Sequence, residues 1–187
     1  ITPYYNKTNE EGMYLHFKTV ADAVSIPCIL YNVPGRTGCA ISENNVCRLA
    51  QHPNIIGIKE ASGDITYAAK IARHLSEDFV MYSGNDDMIV SMMSLGCAGI
   101  ISVLANVLPK ETHDMVFDYL NGDMEKAKEA QLRYLDLVGA LFAEVNPIPV
   151  KAALNLMGME VGGYRLPLTA PTQATRERLK NAMKEAG

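Results

Sequence analysis

The hydrophobic residues of this chain are concentrated in four short runs that are rich in β-branched residues. The runs cover residues 27–33 (PCILYNV), 54–59 (NIIGIK), 79–83 (FVMYS) and 99–103 (GIISV). None of them alternates cleanly between polar and apolar positions. Continuous apolar runs of this length are typical of strands buried on both faces of a parallel sheet. We therefore predict four buried, parallel strands.

Helical patterns separate these runs. Residues 8–11 (TNEE) have the composition of a capping box, and an apolar face follows at Tyr14, Phe17, Ala21 and Val24. The alternation of strand and helix predicts βαβ units, which join parallel strands. The other helices predicted in this part cover residues 42–51, 64–75 (capped by Asp64) and 86–95.

No strand pattern follows residue 105. We therefore predict an α/β fold in which residues 1–108 form the parallel sheet with its helices and residues 109–187 form a C-terminal helical region. The helical patterns of this second region cover residues 110–120, 124–144, 147–157 and, opening with Thr169 and Pro171, the end of the chain.

Composition and charge exclude several classes of function. Of the 187 residues, 48% are hydrophobic and 20% are charged, which is ordinary for a globular domain. The net charge is −4 and no basic patch stands out, so nucleic acid is not an expected partner. No apolar run reaches the roughly 20 residues of a membrane span, and no signal peptide is recognisable. We expect a cytoplasmic protein with no membrane partner.

The cysteines and histidines show no metal-ligand spacing. The four cysteines contain no CxxC pair, and the four histidines are interpreted as structural. No glycine-rich nucleotide motif is present. We therefore expect no metal, no cofactor and reduced, mostly buried thiols.

Candidate chemistry lies at the C-terminal ends of the predicted strands, where parallel α/β folds gather function. These ends carry Tyr31, Lys59, Gly84 and Ser102. Lys59 follows an apolar strand, so its amine is expected to be partly shielded from water and able to attack a ketone. The alternative is a solvated lysine that pairs with Glu60, and the segment alone does not decide between them.

Two further side chains of this rim are candidates for chemistry or substrate binding, and each has a structural alternative. Tyr31 could transfer protons, or its ring could pack in the core with its hydroxyl bonded to the backbone. Arg36, on a turn containing proline and glycine, suits a carboxylate, or it could form a surface ion pair. The pair Tyr4 and Tyr5 is a weak signal, because aromatic pairs usually pack.

Several segments together resemble one known family. The combination of GIKEASGD with YNVPGRTG is highly specific, and the match extends over essentially the whole chain. The segments are TPYYN at 2–6, LYNVPGRTG at 30–38, IIGIKEASGD at 55–64, YSGND at 82–86, GIISVLANV at 99–107, NPIPVKAAL at 146–154 and LPLTAP at 166–171. The chain resembles the dihydrodipicolinate synthase and N-acetylneuraminate lyase family of pyruvate-dependent class I aldolases.

The resemblance implies roles for three catalytic residues. Lys59 matches the lysine that forms an imine (a Schiff base) with pyruvate, and Tyr31 matches the tyrosine that moves protons during imine formation and cyclisation. Tyr5 matches a tyrosine that reaches across a subunit contact into the proton relay of a neighbour, and Tyr4 a residue near an inhibitor site between subunits. Self-association as a dimer or tetramer is therefore implied.

The resemblance also implies the substrates. Gly84 and Ile101 match residues that line the pyruvate pocket, largely through their backbones. Arg36 matches an arginine that meets the carboxylate of L-aspartate-4-semialdehyde, which favours the synthase branch and its product, 4-hydroxytetrahydrodipicolinate, on the route to diaminopimelate and lysine. Sugar-acid lyases usually lack this arginine. Another 2-oxo-acid or sugar-acid aldolase of the family is the alternative.

Part of the family's fold is expected to be missing. A TIM barrel has eight strands, and the resemblance implies that this chain is the C-terminal part, with strands 5–8. The Gly-Thr-Thr-Gly segment that binds the pyruvate carboxylate in the family is not found here, and the chain begins at Ile1 without a methionine. We expect a fragment or processed chain with little synthase activity alone. A non-catalytic interaction module is a further alternative.

Overall fold

The fold is described from a computed structural model that covers residues 1–187. Four parallel strands form one sheet in the order β1-β2-β3-β4, so each strand lies beside its neighbour in the sequence. The predicted α/β class and four parallel strands are confirmed, although the last strand is shorter than predicted. The strands are β1 (Cys28–Asn32), β2 (Ile55–Glu60), β3 (Val80–Ser83) and β4 (Gly99–Ile100).

The two faces of the sheet differ in burial. Leu30, Ile58 and Met81 lie side by side on one face and are 2%, 0% and 0% exposed. On the other face Ile29 is 42% exposed and Ile101, just beyond β4, is 41% exposed. The prediction of strands buried on both faces is therefore right for one face only.

The helices follow the predicted order with shifted ends. The first begins one residue later than the capping-box pattern indicates, because Asn9 and not Thr8 accepts the hydrogen bond from the Gly12 N–H, at 2.9 Å. Asp64 is the predicted cap and accepts from the N–H groups of Thr66 and Tyr67. The helices are α1 (Glu10–Ala23), α2 (Pro34–Thr37), α3 (Glu43–Leu49), α4 (Ile65–Ala72), α5 (Ile89–Met93), α6 (Pro109–Leu120), α7 (Met124–Arg133), α8 (Leu135–Leu141), α9 (Ile148–Leu156) and α10 (Gln173–Ala186), with 3₁₀ turns at Asp86–Met88 and Leu104–Asn106.

Two helix predictions in the second region are wrong in detail. The long helix predicted at 124–144 is interrupted at Tyr134, whose φ of −93° and ψ of 3° depart from helical values, and ends at Leu141. The final helix begins only after Thr172, whose side chain accepts a hydrogen bond from the Thr175 N–H. Helical periodicity continues across Tyr134, and Thr169 and Thr172 are both residue types that cap helices, so the sequence pattern reveals neither site.

The chain divides into two compact units, Ile1–Ile101 and Ser102–Gly187. The first contains the sheet and helices α1 to α5, and the second is helical, with α10 against α8 and α9. None of the helices has the length and hydropathy needed to cross a membrane. The predicted division at residue 108 separates the part with the sheet, residues 1–108, from the helical region, residues 109–187. It stays a prediction.

Candidate active site

Lys59 lies in a row of side chains on the partly exposed face of the sheet. The register of the strands pairs it with Tyr31 of β1 and Tyr82 of β3. All three side chains are half-buried, and the Lys59 Nζ lies 4.5 Å from the centroid of the Tyr31 ring. Lys59 takes part in none of the ion pairs of the protein. The amine therefore meets the face of a phenol ring, where a cation is attracted by the ring electrons.

Gly84 makes room for this amine. It follows β3, and its N–H donates to the Glu60 carbonyl oxygen at 2.7 Å, which continues the parallel hydrogen bonding. A Cβ at this position would lie 2.5 Å from the Ala61 Cβ and 2.9 Å from the Lys59 Cε. Both distances are shorter than van der Waals contact. Only glycine at position 84 therefore leaves the Lys59 side chain where it is.

Ile101 completes the rim on the far side of Gly84. Its N–H donates to the Ser83 carbonyl oxygen at 2.9 Å, so the chain beyond β4 still follows the edge of β3. On the other side, the Ala61 N–H donates to the Asn32 carbonyl oxygen at 2.9 Å. The structure thus brings Tyr31, Lys59 and the backbones at 84 and 101 to one end of the sheet. For Tyr31, Lys59 and Gly84 this is the position predicted from the strand ends.

Arg36 lies on the segment that follows β1. It occupies the last turn of α2, a single helical turn that starts at Pro34 and ends at Gly38, whose φ of 68° suits glycine. The Gly38 N–H donates to the Pro34 carbonyl oxygen at 2.8 Å. The Arg36 side chain is exposed. Arg36 therefore lies at the end of the unit where β1 terminates.

Tyr5 is not brought together with Lys59. It is 87% exposed and lines a shallow hollow with the start of α1, and neither Lys59 nor Tyr31 contributes to that hollow. The segment before it is attached to the loop after β1, because the Cys39 Sγ donates to the Pro3 carbonyl oxygen at 3.2 Å. Within one copy of the chain, Tyr5 therefore points to solvent.

A buried polar pair lies behind the rim, on the covered face of the sheet. Asn32 is 0% exposed and Glu60 is 2% exposed, and the Asn32 Nδ2 donates to the Glu60 Oε2 at 2.7 Å. The Ser62 N–H donates to the Glu60 Oε1 at 2.6 Å. Burial raises the pKa of Glu60, while the hydrogen bonds from Ser62 and Asn32 act to lower it.

This pair is the functional candidate that the sequence analysis missed. In the sequence, Glu60 is a possible partner of a solvated Lys59, but adjacent residues of a strand point to opposite faces. Glu60 is therefore directed away from Lys59, and the alternative in which the two pair is wrong. The sequence contains the signal for this. Glu60 directly follows Lys59 in a strand, so the two side chains must lie on opposite faces of the sheet.

The arrangement supplies what capture of a carbonyl compound needs. A primary amine can add to a ketone, the neighbouring phenol can exchange a proton, and the glycine leaves space for a small molecule. No group of three or more histidine, cysteine, aspartate or glutamate side chains is placed to hold a metal ion. Burial also raises the pKa of the Cys97 thiol to about 12, so this buried cysteine stays a thiol at neutral pH.

Known proteins match this chain over nearly its whole length. The profile of the Dihydrodipicolinate synthetase family matches residues 1–186. The chain is 57% identical over 187 residues to a 4-hydroxy-tetrahydrodipicolinate synthase from Caldicellulosiruptor saccharolyticus, with 100% of this chain and 63% of the relative covered. A relative named in the same way from Acetivibrio thermocellus is 51% identical over the same shares.

Solved structures show the same similarity. A dihydrodipicolinate synthase from Cyanidioschyzon merolae with lysine bound has a TM-score of 0.96 and 42% identity, covering 100% of this chain and 63% of that chain. A dihydrodipicolinate synthase from Acinetobacter baumannii, chloride-inhibited and complexed with pyruvate, has a TM-score of 0.94 and 45% identity, covering 99% and 64%.

These matches identify the family and show how much of its members' length the chain covers. The chain spans 63% of the length of the curated relative from Caldicellulosiruptor saccharolyticus. A four-stranded parallel sheet is consistent with part of the TIM barrel of this family. Which strands of a complete barrel these are stays a prediction. On its sequence and its fold, the chain belongs to the Dihydrodipicolinate synthetase family.

Proposed function

We propose that the chain carries the carbonyl-binding part of a lyase that condenses pyruvate with L-aspartate-4-semialdehyde. The observation that carries this proposal is the position of Lys59 at the rim of the sheet, with its Nζ 4.5 Å from the Tyr31 ring centroid and no competing ion pair. The relative from Acinetobacter baumannii binds pyruvate, which supports the choice of the first substrate.

The chemistry begins at the Lys59 amine. Its lone pair adds to the C2 carbonyl of pyruvate, water leaves, and an imine forms. The protonated imine withdraws electrons, so the methyl group loses a proton and becomes an enamine. The enamine carbon then attacks the aldehyde of the second substrate, and the amino group of that substrate displaces Lys59 on ring closure. Tyr31 is the group that exchanges protons with these intermediates.

Arg36 is proposed to bind the carboxylate of the second substrate. It lies on the turn after β1, one strand away from Lys59, and its guanidinium can form two parallel hydrogen bonds with a carboxylate. Gly84 and Ile101 would line the pyruvate pocket through their backbones. Full turnover further needs donors for the pyruvate carboxylate, which the Gly-Thr-Thr-Gly segment supplies elsewhere in the family.

We further propose that the chain self-associates in the cytoplasm. Tyr5 is 87% exposed and lies apart from Lys59, so its ring is accessible to the site of another copy. A dimer is the smallest assembly in which this exchange is reciprocal, and a tetramer would be a pair of such dimers.

Replacing Arg36 with alanine should separate the two substrates. We expect the affinity for aspartate semialdehyde to fall roughly 10- to 100-fold, because a charge-assisted hydrogen bond to a carboxylate is lost. Formation of the pyruvate adduct on Lys59 should stay within about twofold of the unchanged chain, because Arg36 does not touch the imine. Calorimetric titration of the aldehyde and borohydride trapping of pyruvate measure the two steps separately.

Arg73→Ala is the matched control for this experiment. Arg73 is an exposed arginine of the same unit whose side chain pairs with Glu43 at 2.6 Å, away from the strand ends. It should change neither measurement. A sugar-acid or other 2-oxo-acid aldolase would be indicated instead if Arg36→Ala left aldehyde affinity intact while a larger aldehyde bound more tightly than aspartate semialdehyde.

A further inference from the structure

The buried pair Asn32 and Glu60 joins the two segments that flank the proposed site. Asn32 is the last residue of β1, and the segment after it carries Arg36. Glu60 is the last residue of β2 and directly follows Lys59. The two residues lie opposite one another in the strand register, so their side chains meet on the covered face while Lys59 lies on the other.

The hydrogen bonds of this pair extend into both segments. The Ile41 N–H donates to the Asn32 Oδ1 at 3.0 Å, which fixes the far end of the segment that carries Arg36. The Ser62 N–H donates to the Glu60 Oε1 at 2.6 Å, which fixes the turn after β2. The Tyr67 hydroxyl donates to the Ile41 carbonyl oxygen at 2.6 Å. This bond connects α4, which follows the turn after β2, to the far end of the segment that carries Arg36.

The donors and acceptors of this network allow a single arrangement. Asn32 must present its oxygen to the Ile41 N–H, which leaves its amide nitrogen for Glu60. Both oxygens of Glu60 then accept, one from Asn32 and one from Ser62. Each of the polar side-chain atoms of the pair therefore has a partner, as buried polar groups require. Exchanging the amide for a carboxylate, or the carboxylate for an amide, at one residue alone leaves two like groups facing each other.

We propose that Asn32 and Glu60 are positioning residues that hold the Arg36 segment and the Lys59 strand end in register with each other. The inference rests on the proposed function, because it assigns their role to that site. They touch no substrate and act through the backbone at 41 and 62. Without the side chains of this pair, the backbone hydrogen bond from the Ala61 N–H to the Asn32 carbonyl oxygen would still link the two segments.

Exchanging the donor and acceptor across the pair tests this inference. In Glu60→Gln, the new amide sets a donor against either Asn32 or the Ser62 N–H, whichever way it turns. In Asn32→Asp, two carboxylates meet and must separate or take up a proton. The double variant N32D/E60Q restores all the bonds. The carboxylate introduced at position 32 accepts from Ile41 and from the amide introduced at position 60, and the oxygen of that amide accepts from Ser62.

The rate of borohydride-trapped pyruvate adduct formation on Lys59 is the first measurement. We expect Glu60→Gln to slow it roughly 10- to 100-fold, since displacement of a reacting group by about 1 Å has effects of this size. The double variant should return to within about threefold of the unchanged chain, the signature of a coupled pair. A rate that falls in the single variant and stays low in the double variant would overturn the inference.

A matched variant separates positioning from general loss of stability. Asn45 is also buried, 1% exposed, and its Nδ2 donates to the Glu10 carbonyl oxygen at 2.9 Å, away from the rim. Asn45→Ala should lower the melting temperature without slowing adduct formation at temperatures where the chain stays folded. If it slows the adduct as much as Glu60→Gln does, the pair acts only through stability and the inference is wrong.

Hydrogen exchange makes the inference independent of catalysis. In the single variants the amides of Ile41 and Ser62 should lose protection, and the NMR signal of the Arg36 Nε should move, with both restored in the double variant. If the unchanged chain forms no adduct on Lys59, the proposed function fails. These exchange and NMR data still decide whether the pair holds the two segments, and unchanged protection in the single variants would contradict it.

Discussion

Replacing Lys59 with arginine is expected to abolish the borohydride-stable pyruvate adduct of the chain. Arginine keeps the positive charge and much of the length of lysine, but its guanidinium does not lose a proton in proteins and does not form an imine. The unchanged chain should gain the mass of one reduced pyruvate, and peptide mapping should locate it on Lys59. The variant should gain none.

The reason for selectivity among lysines lies in the surroundings of Lys59. Its amine is half-buried beside the Tyr31 ring and is in no ion pair, whereas Lys18 and Lys126 pair with aspartates at 2.6 and 2.8 Å. Lys70→Arg, an exposed position on α4, is the matched control and should leave the adduct unchanged. An adduct that maps to another lysine, or that survives in Lys59→Arg, would show that the assignment is wrong.

Sequence patterns predict the frame of this site well. Four apolar runs separated by helical patterns were enough to predict a parallel sheet, because βαβ connections join parallel strands. In a parallel sheet the C-terminal ends of β1, β2 and β3 lie at one rim. The neighbourhood of Tyr31, Lys59 and Gly84 follows from it, since residues at equivalent strand ends become neighbours.

Features that depend on side-chain direction were not predictable in the same way. The apolar runs predict burial on both faces, yet Ile29 and Ile101 are each more than 40% exposed, because burial depends on what packs over a face and not on the strand alone. The interruption at Tyr134 is a local change of backbone angles that leaves helical periodicity intact.

The polar pair behind the site illustrates the same limit. Asn32 and Glu60 are 28 positions apart, and only the register of β1 on β2 brings them opposite each other. A one-residue change of register would turn both side chains to the other face. The sequence therefore predicts candidate residues at each strand end separately. The hydrogen bonds between different strand ends are seen only in the structure.

Replacing Gly84 with alanine is expected to have the second largest effect, and it tests the space beside the lysine. The new Cβ would lie 2.5 Å from the Ala61 Cβ and 2.9 Å from the Lys59 Cε. The Ala61 methyl cannot rotate away, so the backbone must move. We expect the free energy of unfolding to fall by roughly 1–3 kcal/mol, as for other overpacked sites. Adduct formation on Lys59 should slow roughly 10- to 100-fold, because the amine is displaced.

Gly35→Ala is the control for this substitution, since a Cβ there would meet nothing within 4 Å and no unusual φ is involved. Its stability and its rate of adduct formation should match those of the unchanged chain. For each variant, denaturant unfolding gives the free energy of unfolding. Timed borohydride trapping followed by mass spectrometry gives the rate of adduct formation. If Gly84→Ala loses stability but reacts at the original rate, the backbone moves away from Lys59, and Gly84 serves the packing of β2 on β3 and not the position of the amine. If the rate falls while Gly35→Ala stays unchanged, the missing side chain at position 84 is what keeps the amine in reach of the carbonyl carbon.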